Sequence, residues 1–258
     1  MRVLVTNDDG VQAPGIHALA IAMDGLGLDV VVAAPRRDMS GSSAAIGSMH
    51  IDEHIDVEPF EIPGLAHVPA YGVEGPPALA VMAARLGGFG EPPEMVVSGI
   101  NPGPNTGRAT LHSGTVGAAL TGANFGVPGL AVSVGVGDEI HFDTAAAVAA
   151  AAVGWLAEAP GRTVLNINVP NLPLDEVRGV RWAKLAPFGT VRAAVVESGE
   201  GRLQMELRET GVELPPDTDT ALVLAGFVAV TAIVGIRAAE EIDVAAALER
   251  ALPERSPS

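Results

Sequence analysis

Short apolar runs, most of them rich in valine, alternate with alanine-rich segments of helical spacing along the first 175 or so residues. The apolar runs are residues 2–6, 29–34, 95–98, 129–134 and 164–169. The helical segments are residues 15–26 and, approximately, 77–87, 113–124 and 143–158. Fully apolar strands that alternate with helices are typical of a parallel sheet with helices on both faces. The pattern therefore predicts an α/β fold with a Rossmann-like, three-layer, mostly parallel sheet.

The pattern changes after about residue 185, where polar and apolar residues alternate. Segments 191–196, 202–208 and 225–234 are typical of antiparallel strands or hairpins, and a helix is predicted near 238–251. We therefore expect a single domain over residues 1–258. It would consist of an α/β core (about 1–184) and a β-rich hairpin and helix extension (about 185–258). A (β/α)₈ barrel has a suitable length, but the hairpin-like segment contradicts eight regular βα units.

Charge and composition narrow the function classes. The formal net charge of −16 argues against binding the backbone of a nucleic acid polymer. A small phosphorylated substrate remains compatible with this charge if a divalent cation is bound. The chain has no cysteine, so any metal must bind to oxygen or imidazole ligands. We expect a cytoplasmic protein without membrane contact, because no leader is evident and no apolar stretch approaches ~20 residues.

Polar residues concentrate directly after three of the predicted strands. The loops concerned are Asn-Asp-Asp-Gly at 7–10, the segment 36–43, and the Gly- and Asn-rich segment 98–107. In open α/β sheets, sites form outside the carboxyl ends of the strands. The three loops are therefore expected to meet at one edge of the sheet.

The adjacent Asp8 and Asp9 are candidate metal ligands. Two neighbouring carboxylates repel each other unless a cation lies between them, and the hard oxygens of Asp, Asn and Ser suit Mg²⁺, Mn²⁺ or Ca²⁺. The alternative is that both residues only form a turn or cap the following helix. The two other polar loops favour the metal site over this alternative.

The start of the helix near residue 113 is a candidate anion site. Free backbone amides and a Ser or Thr hydroxyl at Ser113, Gly114 and Thr115 can hold a phosphate, but a simple helix cap is an equally good interpretation. His112 is the one histidine that we single out. Arg36 and Arg37 either contact a phosphate or only solvate their loop.

The chain has a single lysine, Lys184, and its position argues against two folds that bind nucleotides or phosphoryl groups, the P-loop fold and the receiver domain. It lies far from any Gly-rich loop and GxxxxGK is absent, which excludes a P-loop. The receiver domains of response regulators also have an acidic pair after the first strand, but they need a later Asp and Lys, and no suitable lysine follows a strand here.

Taken together, the spaced motifs resemble those of the SurE (survival protein E) family. The resemblance covers residues 1–175 closely and the remainder weakly. The sequence departs from the family pattern at 75–80 and at Arg108-Ala109, two places that bear on substrate preference. The matching motifs are NDDGVQAPGI (7–16), AP-x₄-SG-x-S (34–43), SGIN-x-G-x-N-x-G (98–107), SGTVGAA (113–119) and LNINVP (165–170).

The resemblance implies a divalent-metal-dependent phosphomonoesterase that hydrolyses nucleoside 5′-monophosphates, with 3′-monophosphates and short polyphosphate as further candidate substrates. It also implies one Mg²⁺ or Mn²⁺ ion per subunit and a homodimer or homotetramer with contacts from the extension. The alternative is a non-catalytic module that binds a nucleotide or phosphate with a metal. The implied catalytic residues are Asp8 and Asp9. The implied metal ligands are Asp8, Asp9, Ser40 and Asn101. The implied substrate or phosphate contacts are Asn105, Ser113, Gly114 and Thr115.

Overall fold

The computed structural model describes residues 1–47, 54–187, 191–199, 202–209, 211–237 and 248. The strands are β1 (Arg2–Thr6), β2 (Asp29–Pro35), β3 (Val57–Phe60), β4 (Ala70–Val73), β5 (Met95–Pro102), β6 (Gly129–Val134), β7 (Val164–Val169), β8 (Val180–Trp182), β9 (Val191–Gly199), β10 (Arg202–Glu209) and β11 (Val228–Ile233). The α-helices are α1 (Pro14–Gly25), α2 (Pro77–Arg85), α3 (Gly114–Asn124), α4 (Phe142–Leu156) and α5 (Asp219–Leu224), and 3₁₀ helices cover Gly107–His112 and Leu174–Glu176.

Nine strands form one mostly parallel sheet in the order β3-β4-β2-β1-β5-β6-β7-β11-β8. The six central strands from β4 to β7 in this order are mutually parallel. Strand β3 is antiparallel to β4, and β11 is antiparallel to β7. The predicted mostly parallel α/β sheet is confirmed, while the short strands β3 and β4 were missed because neither has a long apolar run.

Helices cover both faces of the sheet, which confirms the predicted three layers. Helix α1 packs on α4, and α2 packs on α3. On β1, Val3 and Val5 share a buried cluster with α1 and α4, whereas Leu4 shares one with residues of α2 and α3. Side chains alternate between faces along a strand, so an entirely apolar strand is the one that can be buried on both sides.

The region after residue 185 divides between a separate hairpin and the main sheet. Strands β9 and β10 form the predicted antiparallel hairpin. Strand β11 instead pairs with β7, where Val228 and Ala229 are fully buried, so part of the predicted extension packs with the core. The helix predicted near 238–251 lies outside the described residues, apart from Leu248. The role of the extension between copies stays a prediction.

Within the described part of the chain, no helix combines the length and hydrophobicity needed to span a bilayer.

Candidate active site

A pocket of about 280 Å³ opens where the polar loops after β1, β2 and β5 meet. Six residues proposed from the sequence line it, which are Asp8, Asp9, Ser40, Asn101, Asn105 and Ser113. The remaining lining residues are Gly41, Pro102, Ala109 and His112. The expectation that the three loops converge at one sheet edge is confirmed.

The turn after β1 is organised by a buried asparagine. Asn7 donates from its side-chain amide to the carbonyl of Gly10 (3.1 Å) and accepts from the Gly10 amide (3.2 Å). Gly10 has a φ of +105°, a conformation that residues with a side chain rarely adopt. The Met39 amide donates to the carbonyl oxygen of Asp8 (2.7 Å), which ties the Ser40 loop to the end of β1. The Asn-Asp-Asp-Gly sequence therefore builds a fixed turn that presents two carboxylates.

Asp8 is clamped by the start of α3. Its side chain is 3% exposed. Its Oδ2 accepts from the Gly114 amide (3.0 Å), and its Oδ1 accepts from the Thr115 hydroxyl (2.5 Å). Burial raises the pKa of Asp8, and the hydrogen bond from Thr115 opposes that rise. The clamp fixes the direction in which the carboxylate faces the pocket.

Asp9 carries an unsatisfied oxygen. Its Oδ2 is buried and has no hydrogen-bond partner among the described residues. Burial, together with the negative charges of Asp8 and Asp38, raises the pKa of Asp9 to about 7. A buried carboxylate oxygen without a donor, beside two other carboxylates, is an environment that a cation would stabilise.

Ser40 and Asn101 each direct an oxygen that could act as a ligand. The Ser40 hydroxyl donates its proton to Asp38 (2.6 Å), so its lone pairs are free to face the pocket. The side-chain amide of Asn101 donates to the Gly103 carbonyl (2.5 Å), and Oδ1 of Asn101 has no hydrogen-bond donor among the described residues. Asn101 lies in the extended end of β5, opposite Ser133 of β6, rather than in the loop that the sequence predicted.

These oxygens fit a hard divalent cation. The described residues contain no group of three or more His, Asp or Glu side chains that could hold a metal. The candidate donors are instead two carboxylates, one hydroxyl and one carboxamide, a set that suits Mg²⁺ or Mn²⁺ with water completing the coordination. The ion would be held by four side chains, those of Asp8, Asp9, Ser40 and Asn101.

Most of the polar groups at the start of α3 contact Asp8 rather than the pocket. The Ser113 hydroxyl caps the helix by accepting a hydrogen bond from the Val116 amide (3.1 Å), as expected for the helix-cap interpretation of this segment. Ser113 also lines the pocket. Gly114 and the fully buried Thr115 donate to Asp8 and do not line the pocket. Of the three residues predicted to contact phosphate here, Ser113 lines the pocket, and the predicted phosphate contacts of Gly114 and Thr115 stay predictions.

The two arginines of the Ser40 loop are engaged elsewhere. Arg36 forms ion pairs with Glu58 (3.3 Å) and Glu74 (3.7 Å), and Arg37 pairs with Glu74 (2.9 Å). Neither lines the pocket. The basic group at the pocket wall is His112, the histidine singled out from the sequence.

A buried carboxylate in the C-terminal part of the chain holds the far end of the Asn105 loop. Asp219 is fully buried and accepts from the amides of Gly107 (2.7 Å), Ala186 (2.9 Å) and Thr220 (2.8 Å). Asp219 of α5 therefore anchors the end of the loop that carries Asn105, although it lies 112 positions from Gly107 in sequence. No local sequence signal identifies this contact, because it depends on where α5 packs.

The fold and the site define a class. This is an α/β protein with an oxygen-rich acidic pocket at the carboxyl ends of its parallel strands, suited to binding a divalent cation and a phosphorylated small molecule. The chain matches the family described as "Survival protein SurE" over residues 3–190. It belongs to that family.

Similar proteins agree with this assignment. The chain is 39% identical over 237 residues to a protein of Legionella pneumophila named 5′-nucleotidase SurE, with 90% of each chain covered. It is 38% identical over 237 residues to a Shigella dysenteriae protein named 5′/3′-nucleotidase SurE, with 90% of this chain and 89% of the relative covered. The crystal structure of the SurE protein from Aquifex aeolicus is similar, with a TM-score of 0.78, 29% identity, and coverage of 97% of this chain and 99% of that one.

Proposed function

We propose that the protein is a divalent-metal-dependent 5′-nucleotidase that hydrolyses nucleoside 5′-monophosphates to a nucleoside and phosphate. The observation that carries the proposal is the unsatisfied, buried Oδ2 of Asp9, placed in one pocket with Asp8, Ser40 and Asn101. The names of the relatives from Legionella pneumophila and Shigella dysenteriae support the reaction. The second of these names also supports 3′-monophosphates as substrates, and short polyphosphate is a further candidate.

The residues of the pocket divide the work of the reaction. When bound, a divalent cation supplies neutralisation of charge on the phosphoryl oxygens and lowers the pKa of a water molecule. Ser113 caps α3 through a lone pair, so its hydroxyl proton is free to be donated to a phosphoryl oxygen. Asp8 is held by Gly114 and Thr115, with both carboxylate oxygens engaged, which favours an orienting role over direct attack on phosphorus. We propose water as the nucleophile; the alternative is a phosphoryl-enzyme intermediate, and trapping a phosphorylated Asp8 or Asp9 would identify it.

The test is phosphate release from a panel of nucleoside 5′- and 3′-monophosphates with Mn²⁺, with Mg²⁺ and with EDTA. We expect release with a divalent cation, none with EDTA, and a loss of at least ~10²-fold in Asp8→Ala. The matched control is Asp175→Ala, which removes an exposed carboxylate outside the pocket and should leave the rate unchanged. Metal-dependent nucleotide binding without phosphate release would instead identify a non-catalytic binding module.

We also propose a cytoplasmic homodimer or homotetramer with contacts from the C-terminal extension and from the edge strand β8, which directly precedes it. Trp182 on the edge strand β8 is 67% exposed, and Leu203 and Met205 on β10 are 68% and 63% exposed. Large apolar side chains left exposed on two strands are candidates for burial between subunits.

The oligomer is tested by sedimentation velocity of the wild type and of a Trp182→Asp, Leu203→Asp double variant. The wild type is expected to sediment as a dimer or tetramer and the double variant as a smaller species. Leu86→Asp alters an equally exposed leucine after α2 and should not change the sedimentation. A monomeric wild type would contradict the proposal.

A further inference from the structure

We propose that Asn168, with Asn166 and Ser133, forms a buried set of positioning residues that fixes Asn105 in the pocket. Asn166 and Asn168 belong to β7, and Ser133 belongs to β6. The inference rests on the proposed function, because it concerns how a residue of the pocket is held for the reaction.

The side chain of Asn168 forms hydrogen bonds with both the amide and the carbonyl of Asn105. The Asn105 amide donates to Oδ1 of Asn168 (2.7 Å), and Nδ2 of Asn168 donates to the Asn105 carbonyl (3.0 Å). Because one side chain meets both the donor and the acceptor of the same residue, the two bonds fix the position and the orientation of that peptide segment. They also fix which atom of the Asn168 carboxamide is the donor.

Two further contacts complete the set. Nδ2 of Asn166 donates to the same Asn105 carbonyl (2.8 Å), and Nδ2 of Asn105 donates to the Ser133 hydroxyl oxygen (2.8 Å). The main chain and the side chain of Asn105 are therefore both held from the neighbouring strands. The remaining polar capacity of the Asn105 side chain is available to the pocket that it lines.

Burial shows that these polar side chains serve Asn105. Ser133, Asn166 and Asn168 are all fully buried within strands that are otherwise largely apolar. Burying a carboxamide costs free energy unless it is hydrogen-bonded, and Oδ1 of Asn166 is the one polar atom of these three side chains without a partner among the described residues. Within the described part of the chain, every side-chain hydrogen bond of these three residues goes to Asn105.

Asn105 needs such support because of its local sequence. It lies in the Pro- and Gly-rich segment 102–107, which makes no strand pairing beyond Pro102 and begins a 3₁₀ helix at Gly107. A loop residue gains accuracy of position from the rigid elements behind it. Strands β6 and β7 lie inside the nine-stranded sheet and are paired on both sides, so they provide a rigid support.

A double-mutant cycle on kcat/KM tests the proposal. Asn168→Asp keeps the shape of the side chain but turns an oxygen toward the Asn105 carbonyl, and we expect kcat/KM for a nucleoside 5′-monophosphate to fall about 30- to 100-fold. Asn105→Ala should lose about as much. The double variant should be no worse than Asn105→Ala alone, because Asn168 acts through Asn105.

Two controls separate positioning from general damage to the fold. The concentration of Mn²⁺ that gives half-maximal activity should be the same in all variants. Asn101 is paired with Ser133 through the sheet backbone, but within the described part of the chain the side-chain hydrogen bonds of the set go to Asn105 and none goes to Asp8, Asp9, Ser40 or Asn101. Asn124→Asp adds the same charge at an exposed site and should behave as the wild type. If Asn168→Asp does not fold, Ser133→Ala, which removes one hydrogen-bond acceptor of Asn105, replaces it in the cycle with an expected loss of about 3- to 10-fold.

Several outcomes would overturn the inference. An unchanged kcat/KM in both Asn168→Asp and Ser133→Ala would do so, as would losses that multiply in the double variant. A wild type that releases no phosphate would contradict the proposed function instead. The same four proteins would then be compared by a different measurement, the rise in melting temperature that inorganic phosphate causes in the presence of Mn²⁺. Loss of that rise in the variants supports positioning, whereas an equal rise in all variants, or none in the wild type, overturns it.

Discussion

The Asp9→Asn variant is expected to hydrolyse nucleoside 5′-monophosphates at least ~10³ times more slowly than the wild type, and yet to be the more stable protein without divalent cations at pH 8. Both effects have one cause. The unpaired Oδ2 of Asp9 is well placed for a cation and unfavourable without one. An uncharged carboxamide removes the favourable interaction and the unfavourable one together.

The pH dependence of the metal-free protein follows from the pKa of Asp9. Burial and the charges of Asp8 and Asp38 raise this pKa from 3.8 to about 7 in the folded protein. Between these values the folded state binds a proton that the unfolded state has released, so the free energy of unfolding decreases as the pH rises from about 4 to about 7. Above pH 7 the charged form persists and the loss is complete.

The stability difference between Asp9→Asn and the wild type depends on the pKa shift of Asp9 and on how far solvent screens its charge. One pKa unit corresponds to about 1.4 kcal/mol. Because Asp9 is partly exposed and its charge is screened, we expect Asp9→Asn to exceed the metal-free wild type by about 1–3 kcal/mol at pH 8, and by much less at pH 4. Urea denaturation in EDTA at both pH values measures this difference. Asp175→Asn, at an exposed site, should show no such pH-dependent gain.

Addition of Mn²⁺ should reverse the order of stability. The cation binds the folded wild type and raises its melting temperature, more at pH 8 than at pH 5, because protons compete for Asp9 at the lower pH. Asp9→Asn should show little or no rise. An equal Mn²⁺-dependent rise in the variant, or a metal-free variant less stable than the wild type at pH 8, would show that Asp9 is not a ligand.

The core of the fold could be predicted because its signals are local. In the first 175 residues, five strands follow from runs of apolar residues and four helices follow from alanine-rich segments of helical spacing. Each run is apolar because its strand is covered on both faces. Strand β11 also appears in the sequence as an alternating segment, but its partner does not. Pairing with β7 rather than with the hairpin is decided by tertiary packing, which periodicity does not encode.

The site was predictable to the level of its loops but not of its contacts. Polar residues after strands β1, β2 and β5 indicated a common pocket, because parallel strands end at the same edge. The sequence did not indicate that Gly114 and Thr115 donate to Asp8, since the direction of an amide or hydroxyl depends on the placement of α3 against β1. Two asparagines at alternate positions of β7 were a signal for the support of Asn105, because a polar residue in a buried strand requires a partner.

Replacing Gly114 by Ala is expected to lower kcat/KM by at least ~10²-fold while leaving the fold intact. A Cβ atom at residue 114 would lie 2.7 Å from Cβ and from Oδ2 of Asp8 and 2.6 Å from Oγ of Ser42. The position of an alanine Cβ is fixed by the backbone, so either Asp8 or the start of α3 must move. A displacement of about 1 Å in a group that orients the reaction can cost a factor of 10².

The stability of the Gly114→Ala variant should change much less than its activity. Gly114 is the first residue of α3 and its backbone is not in the left-handed region, so alanine meets no conformational penalty there and has the higher helix propensity. The matched control is Gly154→Ala in α4, where an added Cβ would have no heavy atom within 4 Å. This control should keep full activity and gain up to about 1 kcal/mol of stability.

Steady-state kinetics and Mn²⁺ titration of the two glycine variants distinguish the possible roles of the clamp. If the amide of Gly114 and the hydroxyl of Thr115 fix Asp8 for metal binding, Gly114→Ala raises the Mn²⁺ concentration needed for half-maximal activity as well as lowering the rate. If they fix Asp8 for a step after binding, the Mn²⁺ requirement stays the same and kcat alone falls. The added methyl group cannot be accommodated unless the Asp8 carboxylate or the helix that holds it moves. Wild-type kinetics in Gly114→Ala would therefore show that the position of α3 against Asp8 determines neither the rate nor the Mn²⁺ requirement.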